Sequence, residues 1–438
     1  MKIAWFTPFS KKSAIARFSQ GIVAELTRVA EVDLCHFDSN EIREAIGSVK
    51  RFPSASAIDD LTLSRYDLVI YNLGNYLPYH REIYLTSRRW PGICILHDFV
   101  MHHFFAAYYL EYLRNPGAYS LLMERLYGEA GGAWLERRLW ESDEVVKFPL
   151  FEEVIRGALG VVTHSEFFKK RVETSFPGPV RRIPLSYDAD WSTPVLSRNN
   201  LGVEEDRILI VTVGHVNPNK RISDVIAALG QLGPMAQRIN YSILGPCSAG
   251  YQTQLEMSIQ RHKLQGVVHF LGHVTDEILR SYLSHADICI NLRYPSMEGA
   301  SASVIEEMLF GKPVIVNDVG FFSELPDSCV VKIHPDRQDE LAVALQRLVA
   351  DRAARSTLGT LAREFAQQEF RADRYANELM EFAWDVRSAR PLLGLADRVA
   401  LECNRMGITS EMPVVGTVAR ELQHVFCKHR SSPPLWRE

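Results

Sequence analysis

The sequence predicts an α/β protein built as two Rossmann-like, doubly wound domains that face one another across a cleft. Three observations lead there. Short apolar runs of strand length alternate with helical patterns through most of the chain, as parallel sheets with crossover helices require. That rhythm stops in a polar, turn-rich segment from Ser186 to Asn200 and restarts at Ile208-Leu-Ile-Val-Thr-Val213. Finally, the run from Ser296 to Ile315 reads as a small-residue turn, an apolar helix, a Gly-Lys-Pro stop and a strand.

Taken in order, the first domain (residues 1–190) opens on a strand at Ile3–Phe6 and a helix at Ala14–Val29. Strands are expected next at Val32–His36, Leu68–Tyr71, Ile93–Leu96, Gly160–Thr163 and Arg182–Pro184. A long helical stretch runs from about Val100 to Trp140. The second domain (201–370) places strands at Ile208–Val213, Tyr241–Leu244, Val267–Leu271, Ile288–Leu292, Val314–Val316 and Val330–Ile333. An aromatic-rich helix follows at 371–390, and 391–438 is a helical extension with no functional reading. At 438 residues the chain exceeds one ordinary core, which agrees with two domains.

Composition narrows the class. A net charge of −4 disfavours a nucleic-acid binder, which needs a broad basic face. The cysteines (Cys35, Cys94, Cys247, Cys289, Cys329, Cys403 and Cys427) are scattered and odd in number. They read as buried thiols of a reducing compartment, not as a disulfide framework or zinc site. Met1 leads directly into a strand with no leader pattern, and no apolar run approaches about 18 residues. A cytoplasmic place follows, with a peripheral position on the inner face of the plasma membrane left open.

The chemistry concentrates around Glu298 and Glu306. They stand eight residues apart across Gly299, Ala300, Ser301 and two further small residues that open a helix. Small side chains let a ligand approach the first helical amides, whose unpaired N–H groups and dipole suit a diphosphate. Carboxylates beside a diphosphate repel it unless they bond hydroxyls, so the pair suggests a sugar nucleotide. In Val213-Gly-His-Val-Asn-Pro-Asn-Lys220, Lys220 is a cation suited to a leaving diphosphate, and His215 is a weaker, titratable one. The first domain places His97-Asp98 at a strand end, followed by His102-His103. That spacing straddles a strand-to-helix turn without a clear carboxylate or Cys partner, and no metal is expected. Asp188-Ala-Asp190 matches a metal-binding Asp-x-Asp but falls in the linker and reads as chance.

Glu298 to Glu306 resembles the E-x7-E motif of retaining glycosyltransferases of the GT-B fold, most closely glycosyltransferase family 4. Other segments resemble the same family. Gly214 to Lys220 is similar to its G-R-x4-K loop, with His215 where Arg is usual. Gly272-His-Val274 is similar to the F-x-G-x-V segment whose backbone reads the base. Val319 to Glu324 is similar to D-V-G-G-x-x-E. Thr7 to Ser19 is similar to the P-P-x-x-S-G-I-A-x-Y-S loop of a bacterial subset that builds surface polysaccharides, with Ser13 conforming and Ala14 in place of Gly.

The resemblance implies a retaining, metal-independent hexosyltransferase without a cofactor. Its partners would be a nucleotide-sugar donor and a glycan or lipid-linked glycan acceptor. It implies that His97 lies against the donor sugar, with Asp98, Ser13 and Ala14 toward the acceptor. Glu298 would hold sugar hydroxyls, Glu306 the ribose, Lys220 the diphosphate, and Gly272 and Val274 the base. It also implies that the 371–390 helix crosses back to the first domain. The basic aromatic run Phe167-Phe-Lys-Lys-Arg171, with Arg181 and Arg182, reads either as a membrane-docking face or as a solvated helix. Tyr108, Tyr109, Tyr112, Trp134 and Trp140 read either as an acceptor wall or as core. Two rival readings remain: a degenerate partner subunit, and another GT-B enzyme such as a phosphorylase or sugar-nucleotide epimerase.

Overall fold

In the computed structural model, which describes residues 1–39, 42–44, 47–136, 143–188, 195–409 and 412–427, the chain forms two sheets. The first holds β1 (Lys2–Phe6), β2 (Glu31–His36), β3 (Ser48–Arg51), β4 (Leu68–Leu73), β5 (Ile93–Leu96), β6 (Gly160–Thr163) and β7 (Val180–Arg182). Their order is β3-β2-β1-β4-β5-β6-β7, with every pairing parallel. The second holds β8 (Ile208–Val213), β9 (Ile239–Leu244), β10 (Val268–Gly272), β11 (Ile288–Asn291), β12 (Val314–Asn317) and β13 (Val330–Ile333). Its order is β10-β9-β8-β11-β12-β13, again parallel.

Apolar runs such as Leu68–Leu73 and Ile239–Leu244 are buried along their whole length, as strands covered by helices on both faces must be. In each sheet the strand order reverses at its centre, between β1 and β4 and between β8 and β11. Loops diverge there at the carboxyl ends and leave a crevice.

Three departures from the expected elements have local causes. Ser48–Arg51 forms the edge strand β3 although it is short, polar and barely buried. β7 lies at Val180–Arg182, slightly earlier than expected. The long helical stretch is broken, first into His102–Ala106 and a π-helical Ala107–Tyr112. Arg114 then turns left-handed and a second helix starts at Pro116, with Asn115 Oδ1 accepting from the Ala118 amide at 3.0 Å. Gly128 kinks that helix.

The helix Ala372–Arg405 lies across the first sheet, where Tyr375, Leu379, Phe382 and Val386 complete a core with Ile3, Trp5, Ile22 and Val23. The two domains also meet directly through backbone. The Gly299 amide donates to the His97 carbonyl (2.9 Å), and the Phe99 and Val100 amides donate to the Met297 carbonyl (3.0 and 3.1 Å). Below them, Glu324 accepts from the Glu166 and Phe167 amides at 2.9 and 2.7 Å, capping the helix Glu166–Glu173 from the opposite domain. Within the second domain the loops after β8, β9 and β10 stack tightly. Gly214 N–H donates to Leu244 O, and Gly245 N–H to Gly272 O, both at 2.8 Å. Among the described residues no helix is long and apolar enough to cross a membrane.

Candidate active site

Strand register assembles the first wall of the cleft. β5 pairs with β6 at Ile93↔Gly160 and Ile95↔Val162, and the same offset carries His97 beside His164 just past the strand ends. β4 pairs with β5 at Asn72↔Ile95, which brings Asn72 under the same layer. His97 Nε2 lies 3.1 Å from Asn72 Oδ1, and its Nδ1 lies 3.3 Å from His164 Nε2. The Phe18 ring meets His97 edge-on at 4.9 Å. Burial drives the His97 imidazole far toward its neutral form, with His164 and His80 adding to the effect. Asp98 Oδ2 accepts from the Asn75 amide at 2.8 Å. Burial, reinforced by Glu298, raises its carboxyl to about 6 despite that hydrogen bond.

The second wall is the loop after β11 and the helix Ala302–Leu309. Glu298 Oε1 accepts from Arg293 Nε at 3.0 Å, and the Arg293 amide donates to Asn317 Oδ1 at 2.9 Å. Glu306 is buried on the helix and hydrogen-bonded by Tyr187 from the interdomain segment. Burial raises its carboxyl in spite of that bond. Arg17 lies over the Tyr187 ring at 5.1 Å and donates to the Asp188 carbonyl at 2.7 Å. Beneath the site the next carboxylate, Glu307, is fully buried; its Oε1 accepts from Asn291 Nδ2 at 3.0 Å, and burial raises it too.

Between these walls lies a cavity of about 610 Å³, within the range of small-molecule sites. His97, Asp98, Glu298, Ala300, Glu306, Ser13 and Ala14 all line it. Ser13 caps the helix Ala14–Leu26, accepting from the Ala16 amide at 3.3 Å, and Ala14 is simply its first residue. Lys11, Lys12, Arg17 and Arg43 add positive charge to the same lining, while Tyr76 and Tyr79 pair edge-to-face there at 5.1 Å.

Other expected site residues fall outside that lining. Lys220 is only 4% exposed, and its ammonium bonds the Val213 carbonyl; burial and the Arg293 charge lower its proton affinity, while Glu298 and Glu307 oppose this. His215 is exposed on the same loop, and Gly272, the last residue of β10, and Val274 beyond it are half-buried. Ser301 is buried against Ser303, 3.2 Å between hydroxyls. The Gly299 amide, expected to face a ligand, is already engaged by His97, and a Cβ there would stand 2.8 Å from that carbonyl.

Of the two readings of the aromatic residues, core holds for Trp134. Trp134 is buried edge-on against His102 at 4.5 Å, so it is core, and the cavity's aromatics are Tyr76, Tyr79, Tyr187 and Phe18. Trp140 and the Ala189-Asp190 part of the Asp-x-Asp match lie outside the described residues. His102 sits in the core between the Phe148 carbonyl (2.9 Å) and the Tyr119 hydroxyl (2.6 Å). Among the described residues no group of three His, Cys or carboxylate side chains is arranged to hold a metal. The basic aromatic face is largely paired: Lys169 with Glu166 and Glu173, Arg181 with Asp385, and Arg182 with Glu369.

Residues absent from the sequence reading are His164, Asn72, Arg293 and Tyr187. A polar residue directly after a buried strand is a signal for the first and third. Nothing local marks Tyr187, whose role depends on how the interdomain segment is threaded.

The architecture and the crevice define a GT-B fold, and comparison with known proteins agrees. Residues 196–365 match the family of glycosyl transferases group 1. The chain is 24% identical over 295 residues to an uncharacterised glycosyltransferase of Methanocaldococcus jannaschii, covering 64% of this chain and 72% of that one. Among solved structures it resembles a sucrose-phosphate synthase from Thermosynechococcus elongatus (TM-score 0.62, 18% identity, 89% of this chain and 100% of that one). It also resembles HepE from Anabaena in complex with UDP-glucose (TM-score 0.62, 18% identity, 88% of this chain and 100% of that one). The structural likenesses give the fold, and the family match supports glycosyl transfer.

Proposed function

We propose that the protein is a retaining, metal-independent hexosyltransferase that moves a sugar from a nucleotide-sugar to a hydroxyl of a glycan or lipid-linked glycan. The observation that carries this reading is the shared lining of the cavity, where His97, Asp98, Glu298 and Glu306 occur together with Lys11, Lys12, Arg17 and Arg43. Carboxylates suit sugar and ribose hydroxyls, and the cations suit a diphosphate.

In the proposed reaction the acceptor oxygen bonds the anomeric carbon on the face from which the diphosphate departs. The C–O bond to the diphosphate breaks, and a diphosphate oxygen takes the acceptor proton. The protein then supplies positioning and charge. Glu298, steadied by Arg293, holds sugar hydroxyls, and His97 abuts the sugar. Glu306 turns from Tyr187 to the ribose. Lys220 adds positive charge behind Gly214.

UDP-glucose, the ligand of the HepE complex, is the first donor to test, followed by GDP-, ADP- and dTDP-sugars. The expected result is donor turnover that survives EDTA and an α-linked product from an α-linked donor. Activity abolished by chelation and restored by manganese, or an inverted anomeric coupling by NMR, overturns the reading.

A further inference from the structure

Asn72, His97 and His164 form a continuous line of hydrogen-bonding groups behind the cavity, and both ends of that line are acceptors. The Asn72 side chain is fixed in orientation because its Nδ2 donates to the Phe6 carbonyl at 3.0 Å. Its Oδ1 therefore faces His97 Nε2 at 3.1 Å. The two imidazoles meet through His97 Nδ1 and His164 Nε2 at 3.3 Å. At the far end His164 Nδ1 faces the Ile183 carbonyl at 3.0 Å.

Counting hydrogens gives an unusual result. A carbonyl oxygen can only accept, so His97 Nε2 and His164 Nδ1 must each carry a hydrogen, and the contact between the rings needs one more. Three hydrogens on two imidazoles make one positive charge. A neutral pair has only two, which leaves one of the three contacts with lone pair against lone pair.

The surroundings hold these two states in opposition. His164 is buried, Phe18 stands edge-on to both rings, and Tyr375 lies 6.0 Å from His164. Arg182 on β7 disfavours charge on His164, and His80, bonded to the Asn72 carbonyl at 3.1 Å, disfavours it on His97. The cavity lining also carries Asp98, Glu298 and Glu306, whose carboxylates favour positive charge, and Lys11, Lys12, Arg17 and Arg43, which oppose it. Burial holds both rings toward the neutral form. The ligand-free protein at neutral pH is then in the two-hydrogen state, with one contact unmet.

We propose that His97 and His164 act as one protonation unit that takes up a third hydrogen from water when an anionic ligand fills the cavity. His164 is a positioning residue: it acts through His97 by supplying the ring-to-ring contact that the third hydrogen completes. Only N–H bonds are made, and the proton returns to water when the ligand leaves. The ligand-linked step rests on the reading of the cavity as a nucleotide-sugar site; the coupling of the two rings does not.

Nitrogen-15 spectra of histidine-labelled protein test the coupling without any ligand. The expected result is that the ring signals of His97 and His164 move together in one single-proton titration. In His164→Phe, His97 should keep its hydrogen on Nε2, toward Asn72, and titrate alone. Independent titration of the two rings in the unsubstituted protein overturns the proposal, even if His164→Phe does not fold. Calorimetry with UDP-glucose in buffers of different ionisation enthalpy tests the linked step. Uptake of up to about one proton is expected, rising as pH falls from 8 to 6 and absent in His164→Phe. Binding with no uptake refutes the linkage. No binding counts against the nucleotide-sugar reading and leaves the ring coupling to the spectra.

Discussion

The proposed reaction divides single residues between those that hold the donor and those that respond to its charge. A Glu306 contact with a ribose is present equally before and during reaction. Glu306→Ala should therefore raise KM by the equivalent of roughly 1.5–3 kcal/mol and leave kcat nearly intact. In the proposed reaction Lys220 supports charge that grows as the glycosyl bond breaks, and Lys220→Met should then lower kcat by on the order of 10²-fold. Steady-state kinetics on both variants checks this, and an unchanged kcat in Lys220→Met removes Lys220 from the reaction. Buried histidines make a separate prediction. His80, His102 and His164 are held at about 4 by burial, against 6.5 for a free imidazole. Between those values the unfolded chain binds more protons, so stability rises with pH. It should be complete above about 6.5 and fall as pH drops toward 4, by up to roughly 3 kcal/mol per group. Urea midpoints at pH 7, 6, 5 and 4.5 measure it; a flat profile contradicts it. His97, Asp98 and Glu298 were visible in sequence because each stands next to the end of an apolar element, and Glu306 because of its eight-residue spacing from Glu298. Asn72 was not, and His164, although it directly follows a strand, could not be joined to His97, because that proximity depends on strand register, which a single chain does not display.

At the scale of elements, the central strands were legible because fully buried parallel strands are continuous apolar runs. β3 was not, since an edge strand needs no apolar pattern and Ser48–Arg51 has none. The expected helix from Val100 to Trp140 had the right composition, but Asn115-Pro116 and Gly128 break it, and those signals were present to be read. Two elements give stability predictions. Gly245 has φ +150, and a Cβ there would stand 2.2 Å from the Gly214 carbonyl. Gly245→Ala should cost about 1–3 kcal/mol or more, because only backbone can yield. Glu324→Ala leaves the Glu166 and Phe167 amides without their cap. A loss of about 0.5–2 kcal/mol is expected, with a larger radius of gyration in solution scattering as the domains part. An unchanged radius means the cap does not hold the domains together.

For the whole molecule, the helix Ala372–Arg405 belongs to the first domain's core although it follows the second in sequence. A fragment ending before Ala372 should therefore bind a hydrophobic dye and lose its sharp thermal transition; a compact, cooperative fragment would refute this. The interface itself has a different consequence. The bonds that join the halves at the mouth of the cavity, Gly299 to His97 and both Phe99 and Val100 to Met297, run from main chain to main chain. Side chains at those positions take no part in them. Mutation can thus revise what His97, Asp98 and Glu298 present to a ligand while the seam that aligns the halves persists. Position 299 is tied to its residue, since a Cβ there would collide with the opposing carbonyl. Such a seam separates the inheritance of closure from the inheritance of specificity, and lets descendants of one scaffold change their choice of sugar without relearning how to close.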